Sequence, residues 1–295
     1  MDCARASVGA RNRGIREQMT ESDELVVDVE SGDGPVRETS NVPPSKQSDR
    51  QSEPTKSSSP APPTVPAVEI HSAKIVKVLG CCILGLVALH FMAMVSWFEF
   101  GHIYLKGFVP LFNLEGEKNV PTLFASLQLV IAALLLGICA GQHKMIQGKY
   151  FKHWVGLSAI FVFLAFDESA VIHEKTFRVT QELFGTSGLL YYSWIIPFGL
   201  FALVVLLTYT RFLFALPRRT AVIFFVSGAV FVTGAIGLEM FEGQINEAGG
   251  YRSFHYMVLV TIEEILEMVG ILAFIYGLLG YITAEARPLK VSLVK

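Results

Sequence analysis

The sequence predicts an all-α protein, a polytopic membrane bundle of about six transmembrane helices that follows a disordered N-terminal tail. Two observations lead to this prediction. The 295-residue chain is 52% hydrophobic and 17% charged, and its mean hydropathy is +0.48, which is typical of membrane proteins. From Lys74 onward, apolar runs long enough to cross a bilayer alternate with short polar loops. Because these runs lack the alternation of a membrane β-barrel, helices are the structure that satisfies their backbone in lipid.

The beginning of the chain has a different composition and is expected to form a disordered cytoplasmic tail. It is rich in Ser, Pro, Glu and Arg, as in NVPPSKQSDRQSEPTKSSSPAPPTVP, and has little to bury in a core. Its basic start has no apolar stretch behind it, so it is not a secretory signal peptide. The predicted division is a tail over 1–72, a transmembrane domain over 73–286 and a short cytoplasmic C-terminus over 287–295.

Within the transmembrane domain, spans are predicted near 74–99, 121–141, 154–174, 190–216, 220–242 and 255–284. Pro217, followed by two arginines, separates the fourth span from the fifth. Trp97, Trp154 and Trp194 lie near predicted span ends, where interfacial aromatic residues are expected. Six glycines of the last two spans are expected at close contacts between helices: Gly228, Gly234, Gly237, Gly270, Gly277 and Gly280.

The distribution of Lys and Arg indicates the orientation of the spans. These residues are concentrated near the start of the first span, in the loops after the second and fourth spans, and at the C-terminus. The positive-inside rule therefore places both termini in the cytoplasm. The expected location is a bacterial inner (plasma) membrane, and the expected partner is the lipid bilayer. A net charge of −2 gives no reason to expect nucleic acid as a partner, while protein partners and a homo-oligomer stay open.

Acidic residues inside the spans are the main functional signal. If successive spans run in opposite directions, all of these carboxylates fall in the outer half of the bundle. Asp167 lies about 10 Å from the outer end of the third span, and Glu239 about 5 Å from that of the fifth. His90 and Gln128 fall in the same layer. The carboxylates of this layer are Asp167, Glu168, Glu239, Glu263, Glu264 and Glu267, with Glu242 at the end of the fifth span.

Helical angles decide which of these side chains can meet. At about 100° per residue, a straight third span cannot point all four of its polar groups at one spot. We therefore expect Asp167 or Glu168 to act together with either His173 or Glu174. The fifth and sixth spans can bring five carboxylates together: Glu239, Glu242, Glu263, Glu264 and Glu267.

Leaving these acids ionised and unpaired would be too costly. An acid at the centre of a membrane helix costs roughly 2.5–3.5 kcal/mol, so six would cost on the order of 15–20 kcal/mol. That exceeds the net stability of a typical fold, about 5–15 kcal/mol. No Lys or Arg is predicted at their depth. Three arrangements could offset this cost: protonated carboxyls with raised pKa values, a bound cation, or a water-filled cavity that opens outward.

A divalent metal is one such cation, and the available donors suit Fe, Mn or Zn. Glutamates on facing helices build dinuclear metal sites in other helical bundles. The HExxH, GxSxG and P-loop motifs are absent from the sequence, so the pattern identifies no known class of enzyme. The candidate metal ligands are Asp167, Glu168, His173, Glu239, Glu242, Glu263, Glu264, Glu267 and His90.

Simpler roles compete with metal binding for several residues. Glu174 can form an exposed ion pair if its helix continues past the membrane, and His173 can be a solvated cap. His90 can be a core histidine that hydrogen-bonds a neighbour. Glu115 and Glu117 are expected to be ordinary residues of an outer loop.

Three segments together resemble a family of uncharacterised bacterial multi-pass membrane proteins. They are LAFDESAVIHE with its DExxxxHE spacing, then GAIGLEMFEG, then the glutamate-rich helix TIEEILEMVGILAFIYGLL. The resemblance covers about the last half of the chain. It implies bacterial origin and an inner-membrane location, and it implies no activity.

Three functions remain open for the outward-facing acidic site, which we expect the third, fifth and sixth spans to form with a contribution from the first. The acids can bind and release protons or a cation during transport, although the inner half lacks a polar path. A bound metal can instead activate water or oxygen in a membrane enzyme. In a structural or assembly protein, the acids would be protonated and hydrogen-bonded between helices.

Overall fold

A computed structural model of the chain describes residues 72–285, which are helical apart from their connecting loops. The predicted tail up to His71 and the predicted C-terminus over 287–295 lie outside these residues. The helices are α1 Ser72–Phe98, α2 Phe108–Phe112, α3 Val120–Met145, α4 Phe151–Ala170, α5 Ile172–Phe184, α6 Ile195–Ala215, α7 Arg218–Val232, α8 Glu239–Glu247 and α9 Phe254–Glu285. A π-helical segment, Thr233–Leu238, joins α7 to α8, and 3₁₀ turns lie at Leu105–Gly107 and Gly188–Leu190.

Four helical segments of the described part are long and apolar enough to cross a membrane. They are α1, α3, α6 and the continuous helix Arg218–Glu247, which contains α7 and α8. Helices α4 and α5 meet at 83° and make a fifth span if the bent pair counts as one. An all-helical chain with several membrane-length helices is thus confirmed over the described residues, whereas the predicted number of six spans is not.

Several helix ends differ from the predicted spans because of local backbone chemistry. Helix α3 begins as predicted, since the Asn119 side chain caps it by accepting a hydrogen bond from the Thr122 backbone at 3.1 Å. Helix α6 begins at Ile195 instead of 190, after a 3₁₀ turn. The helix predicted over 154–174 ends at Ala170, because the backbone turns sharply at the next residue.

The apolar core fills the half of the bundle that lies away from the acidic residues. Helix α9 packs against α1, α3 and α7, and α3 packs against α4. Leu136, Trp154, Ile275 and Leu278 are fully buried where these helices meet. Helix α6, by contrast, buries few of its residues, so most of its apolar surface is exposed.

Glycines set the spacing between α7 and α9. A methyl group at Gly270 would lie 2.9 Å from a backbone nitrogen of α7, and one at Gly277 would lie 2.8 Å from an α7 isoleucine side chain. Gly228 and Gly280 have open space around them. The expectation of close helix contacts is therefore right for Gly270 and Gly277 and wrong for Gly228 and Gly280.

This packing predicts opposite outcomes for two alanine substitutions in the same helix. Gly270→Ala should lower the free energy of unfolding by about 1–3 kcal/mol, because the new methyl would press on the Phe231 backbone, which cannot move aside easily. Gly280→Ala should leave stability unchanged or slightly raised, since alanine favours helix more than glycine does. Thermal unfolding of both variants in detergent measures the difference, and equal melting temperatures would contradict the close contact.

Candidate functional site

A sharp bend between α4 and α5 shapes one side of the site. Val171 adopts the left-handed conformation, with φ 57° and ψ 47°, which is unfavourable for a β-branched residue. Its backbone N–H donates to the Asp167 carbonyl at 2.6 Å. Such strain persists where the surrounding structure holds it, and it is concentrated at functional sites.

The bend brings together two side chains that a straight helix would keep apart. One carboxylate oxygen of Asp167 accepts a hydrogen bond from the His173 backbone at 2.9 Å, and the other lies 3.0 Å from His173 Nδ1. Asp167 is buried, and it caps the first turn of α5. Because a carboxylate can only accept, Nδ1 carries the proton, and Nε2 of a neutral His173 is left with a free lone pair.

Three glutamates from two helices converge beside this bend, and we call them the three-glutamate cluster: Glu239, Glu242 and Glu263. Each offers a carboxylate oxygen, and these oxygens all lie within 4.8 Å of one another. Glu242 is 2% exposed and Glu263 is 7% exposed. Glu242 Oε1 is buried and has no hydrogen-bond partner among the described residues. Burial of acceptor atoms so close together calls for a shared proton or cation.

The π-helical segment before Glu239 sets the direction of this glutamate. Such a segment inserts an extra residue into the helical repeat, and it is frequent at functional sites. It also contains Gly234, where a methyl group would lie 3.1 Å from Glu267 Cγ. The missing side chain therefore leaves room for Glu267 of α9 next to the cluster.

An aromatic residue links the two sides of the site. The Trp194 side chain lies close to Glu239, and its ring packs against the His173 ring with centroids 4.6 Å apart. The charges of His173 and Glu239 are close enough to interact. The bend and the three-glutamate cluster thus lie next to each other.

A second acidic group adjoins the first. Glu264 interacts most strongly with the charge of Glu168, and then with that of Glu267. Glu267 also interacts with Glu239, so it lies between the two groups. Glu264 and Glu267 are half-buried, unlike the buried Glu263.

His90 stands apart from this set. Its Nδ1 accepts a hydrogen bond from the Leu114 backbone at 3.1 Å, so its Nε2 carries the proton and donates to the Thr261 hydroxyl at 2.9 Å. Both ring nitrogens are therefore occupied, and His90 ties α1 to α9 and to the loop before α3. Gln128 is fully buried, with its amide nitrogen 3.5 Å from the Met268 carbonyl.

Two acidic loop residues, Glu115 and Glu117, interact with other parts of the structure in ways that the sequence did not predict. Glu115 pairs with Arg252 at 3.1 Å and accepts a hydrogen bond from the Tyr251 hydroxyl at 2.6 Å, which ties the loop before α3 to the loop before α9. Glu117 is exposed, but the protein around it and the negative charge of Glu168 raise its pKa to about 8. No periodic pattern marks these loop positions, although their closeness in sequence to a capped helix start places them at the N-terminal end of α3.

The donors of the site determine which ligand it can take. Carboxylate oxygens and an imidazole nitrogen suit Fe, Mn or Zn. The ion pairs of the described residues are His173 with Asp167 and Arg252 with Glu115, so neither supplies a Lys or Arg partner to the three-glutamate cluster. A cation or protons must therefore balance its charge.

Comparison with known proteins assigns a family. Residues 78–281 match a domain of unknown function, DUF8692, and the chain belongs to this family. The resemblance to an uncharacterised family is thereby confirmed, while bacterial origin stays a prediction. No curated protein and no solved structure matches the chain.

The raised pKa of Glu117 predicts a pH-dependent stability. The ordinary pKa of this carboxyl is 4.5, and its pKa in the folded chain is about 8. Between these two pH values the unfolded chain ionises the carboxyl while the folded chain keeps it protonated. The free energy of unfolding therefore falls as the pH rises through this range. Glu117→Gln removes this penalty. Its melting temperature in detergent with chelator should equal that of the wild type near pH 4.5 and exceed it increasingly up to about pH 8.

Glu182→Gln on the outer face of α5 is the matched control for this experiment, because it removes an exposed acid away from the acidic layer. A difference between Glu117→Gln and wild type that does not vary with pH would show that the site does not perturb Glu117.

Proposed function

We propose that this member of the DUF8692 family is a multi-pass membrane protein whose outward-facing acidic site binds a divalent metal ion. The main support is the three-glutamate cluster, with carboxylate oxygens within 4.8 Å of one another and the buried, unpartnered Oε1 of Glu242. A divalent ion would give these oxygens a common partner and would offset their mutual repulsion. Fe, Mn and Zn are the ions that suit the donors.

His173 is the proposed nitrogen ligand. Metal-binding histidines usually donate their second ring N–H to a carboxylate, which fixes the tautomer and the ring orientation. Asp167 makes this contact with Nδ1 at 3.0 Å, which leaves Nε2 available on a ring that packs against Trp194. This arrangement favours a metal over a structural role in which protons alone neutralise the acids, since proton sharing among glutamates would not need an oriented histidine.

We place the protein in a bacterial inner membrane, with six spans and both termini in the cytoplasm. Helix α9 would be the additional span. It has 32 residues, and no Asp, Glu, Lys or Arg occurs from 268 to 284. That stretch alone is about 25 Å long at 1.5 Å per residue. The bent pair of α4 and α5 would supply one span, because α4 alone is about 30 Å long.

Packing of the inner half favours a metal-dependent enzyme over a transporter as the use of the site. Transport needs a polar path to the other side of the membrane. In the described bundle, buried Leu136, Ile275 and Leu278 occupy the region where such a path would run. A metal near the outer surface can activate water without such a path.

Metal analysis of purified protein tests the proposal. Wild-type chain, stripped with chelator and reloaded, should bind Fe, Mn or Zn stoichiometrically. Glu242→Gln should weaken that binding at least tenfold, because it replaces a buried anionic donor with a neutral amide. Inductively coupled plasma mass spectrometry and titration with each metal give the stoichiometry and the affinity. Glu182→Gln should bind as the wild type does, and a wild-type chain that takes up no metal would overturn the proposal.

Asp167→Asn tests the orientation of His173 specifically. The asparagine carbonyl can still accept from the His173 backbone and preserve the cap of α5, but its amide can now donate to Nδ1 and move the ring proton to Nε2. Metal affinity should fall about 10- to 100-fold, with only a small change in melting temperature. If titration finds an unchanged affinity, His173 does not bind the metal through Nε2.

A further inference from the structure

An apolar groove lies between α5 and the first turn of α6. It encloses about 470 Å³, within the range of about 300–1,000 Å³ that is usual for small-molecule sites. Its walls include Ile172, Val179, Pro197 and Phe198, and Lys175 adds a charged group to the lining. The groove therefore combines an apolar interior with a cation.

The course of the two helices places this groove on the membrane side of α5. Helix α5 turns 83° away from α4 and is amphipathic. Val179 and Leu183 are 58% and 73% exposed, whereas Glu174 and Arg178 lie on another face of the helix. Such a helix rests in the membrane interface with its apolar face toward the acyl chains. Because Pro197 and Phe198 open an apolar helix long enough to span a membrane, the groove would face the acyl chains of the leaflet in which α5 lies.

The inner end of the groove adjoins the metal site. The Phe198 ring lies 6.2 Å from the His173 ring and 5.3 Å from the Trp194 ring, measured between centroids. Trp194 in turn lies close to Glu239. Two aromatic side chains thus separate the groove from the proposed metal ligands.

We propose that the groove holds an acyl chain of a membrane lipid whose anionic headgroup lies beside Lys175. The Lys175 ammonium donates to the Ala170 carbonyl, which holds it at the end of α4, and its other protons can reach a phosphate. Apolar walls suit the chain, and the positive charge selects an anionic headgroup over a zwitterionic one. The consequence, which rests on the proposed metal site, is that this lipid is positioned as substrate or regulator next to the metal.

Lipid counting on the full-length protein tests the groove. Detergent-purified chain is mixed with phosphatidylglycerol or phosphatidylcholine, and native mass spectrometry counts the lipid that each chain retains. Wild type should retain one lipid and prefer phosphatidylglycerol about fivefold. Val179→Trp, which fills the groove, should lose the lipid, whereas Leu183→Trp, an equally bulky change outside the groove, should keep it. Lys175→Gln should abolish the preference for phosphatidylglycerol.

The proposal would be overturned if Val179→Trp retained as much lipid as the wild type. It would also be overturned if Leu183→Trp lost the lipid together with Val179→Trp. If Val179→Trp fails to fold, Lys175→Gln decides: an unchanged preference for phosphatidylglycerol contradicts the proposed headgroup position. Metal content of the same samples separates the two hypotheses. Val179→Trp should retain metal and Glu242→Gln should retain lipid, so a wild type that binds lipid without metal refutes the metal site and leaves the groove standing.

Discussion

The cost of placing many carboxyl groups between apolar helices is the constraint on which the rest of this structure depends. The three-glutamate cluster and its neighbours Glu168 and Glu267 lie together at one end of the bundle, and neither ion pair of the described residues reaches the cluster. An ionised acid that is buried without a partner costs several kcal/mol. A fold does not retain this many unless a bound ion, shared protons or water offsets the cost. Concentration at one end has a physical advantage, because one ion or one cavity can then serve them all.

Two departures from regular helix geometry make this concentration possible. The left-handed Val171 turns α5 through 83° and joins His173 to Asp167. The π-helical segment before Glu239 changes the face on which that glutamate lies. Both departures carry a local cost, and both border the acidic residues. A structural role would need only regular helices with fewer acids, so the pairing of strained backbone with buried acids argues for function.

The sequence was sufficient to predict what depends on helical repeat and apolar length. The helices, the acidic layer, and the approach of Glu239 and Glu242 to Glu263 follow from the rise and angle per residue. The bend at Val171 was not predictable, because no Gly or Pro lies between Ala165 and Thr176 to mark it. The interaction of Glu117 with the charge of Glu168 was not predicted, because loops have no periodicity from which to infer contacts. The two nitrogen contacts of His90 join three separate elements, and such tertiary contacts have no local signal.

The two halves of the bundle differ in a way that limits how the site can be reached. Away from the acids, Leu136, Ile275 and Leu278 are fully buried in one apolar cluster. On the other side of the acids, Glu115 joins Arg252 across two loops. The side toward α6 is less closed, since α6 buries few of its residues, and the Phe198 ring, which lines the α5–α6 groove, lies 6.2 Å from the His173 ring. With the proposed membrane placement, a ligand soluble in lipid would have the shortest route to the site through this groove. The amphipathic α5 forms one wall of the groove, because the same bend that orients His173 also sets the direction of α5.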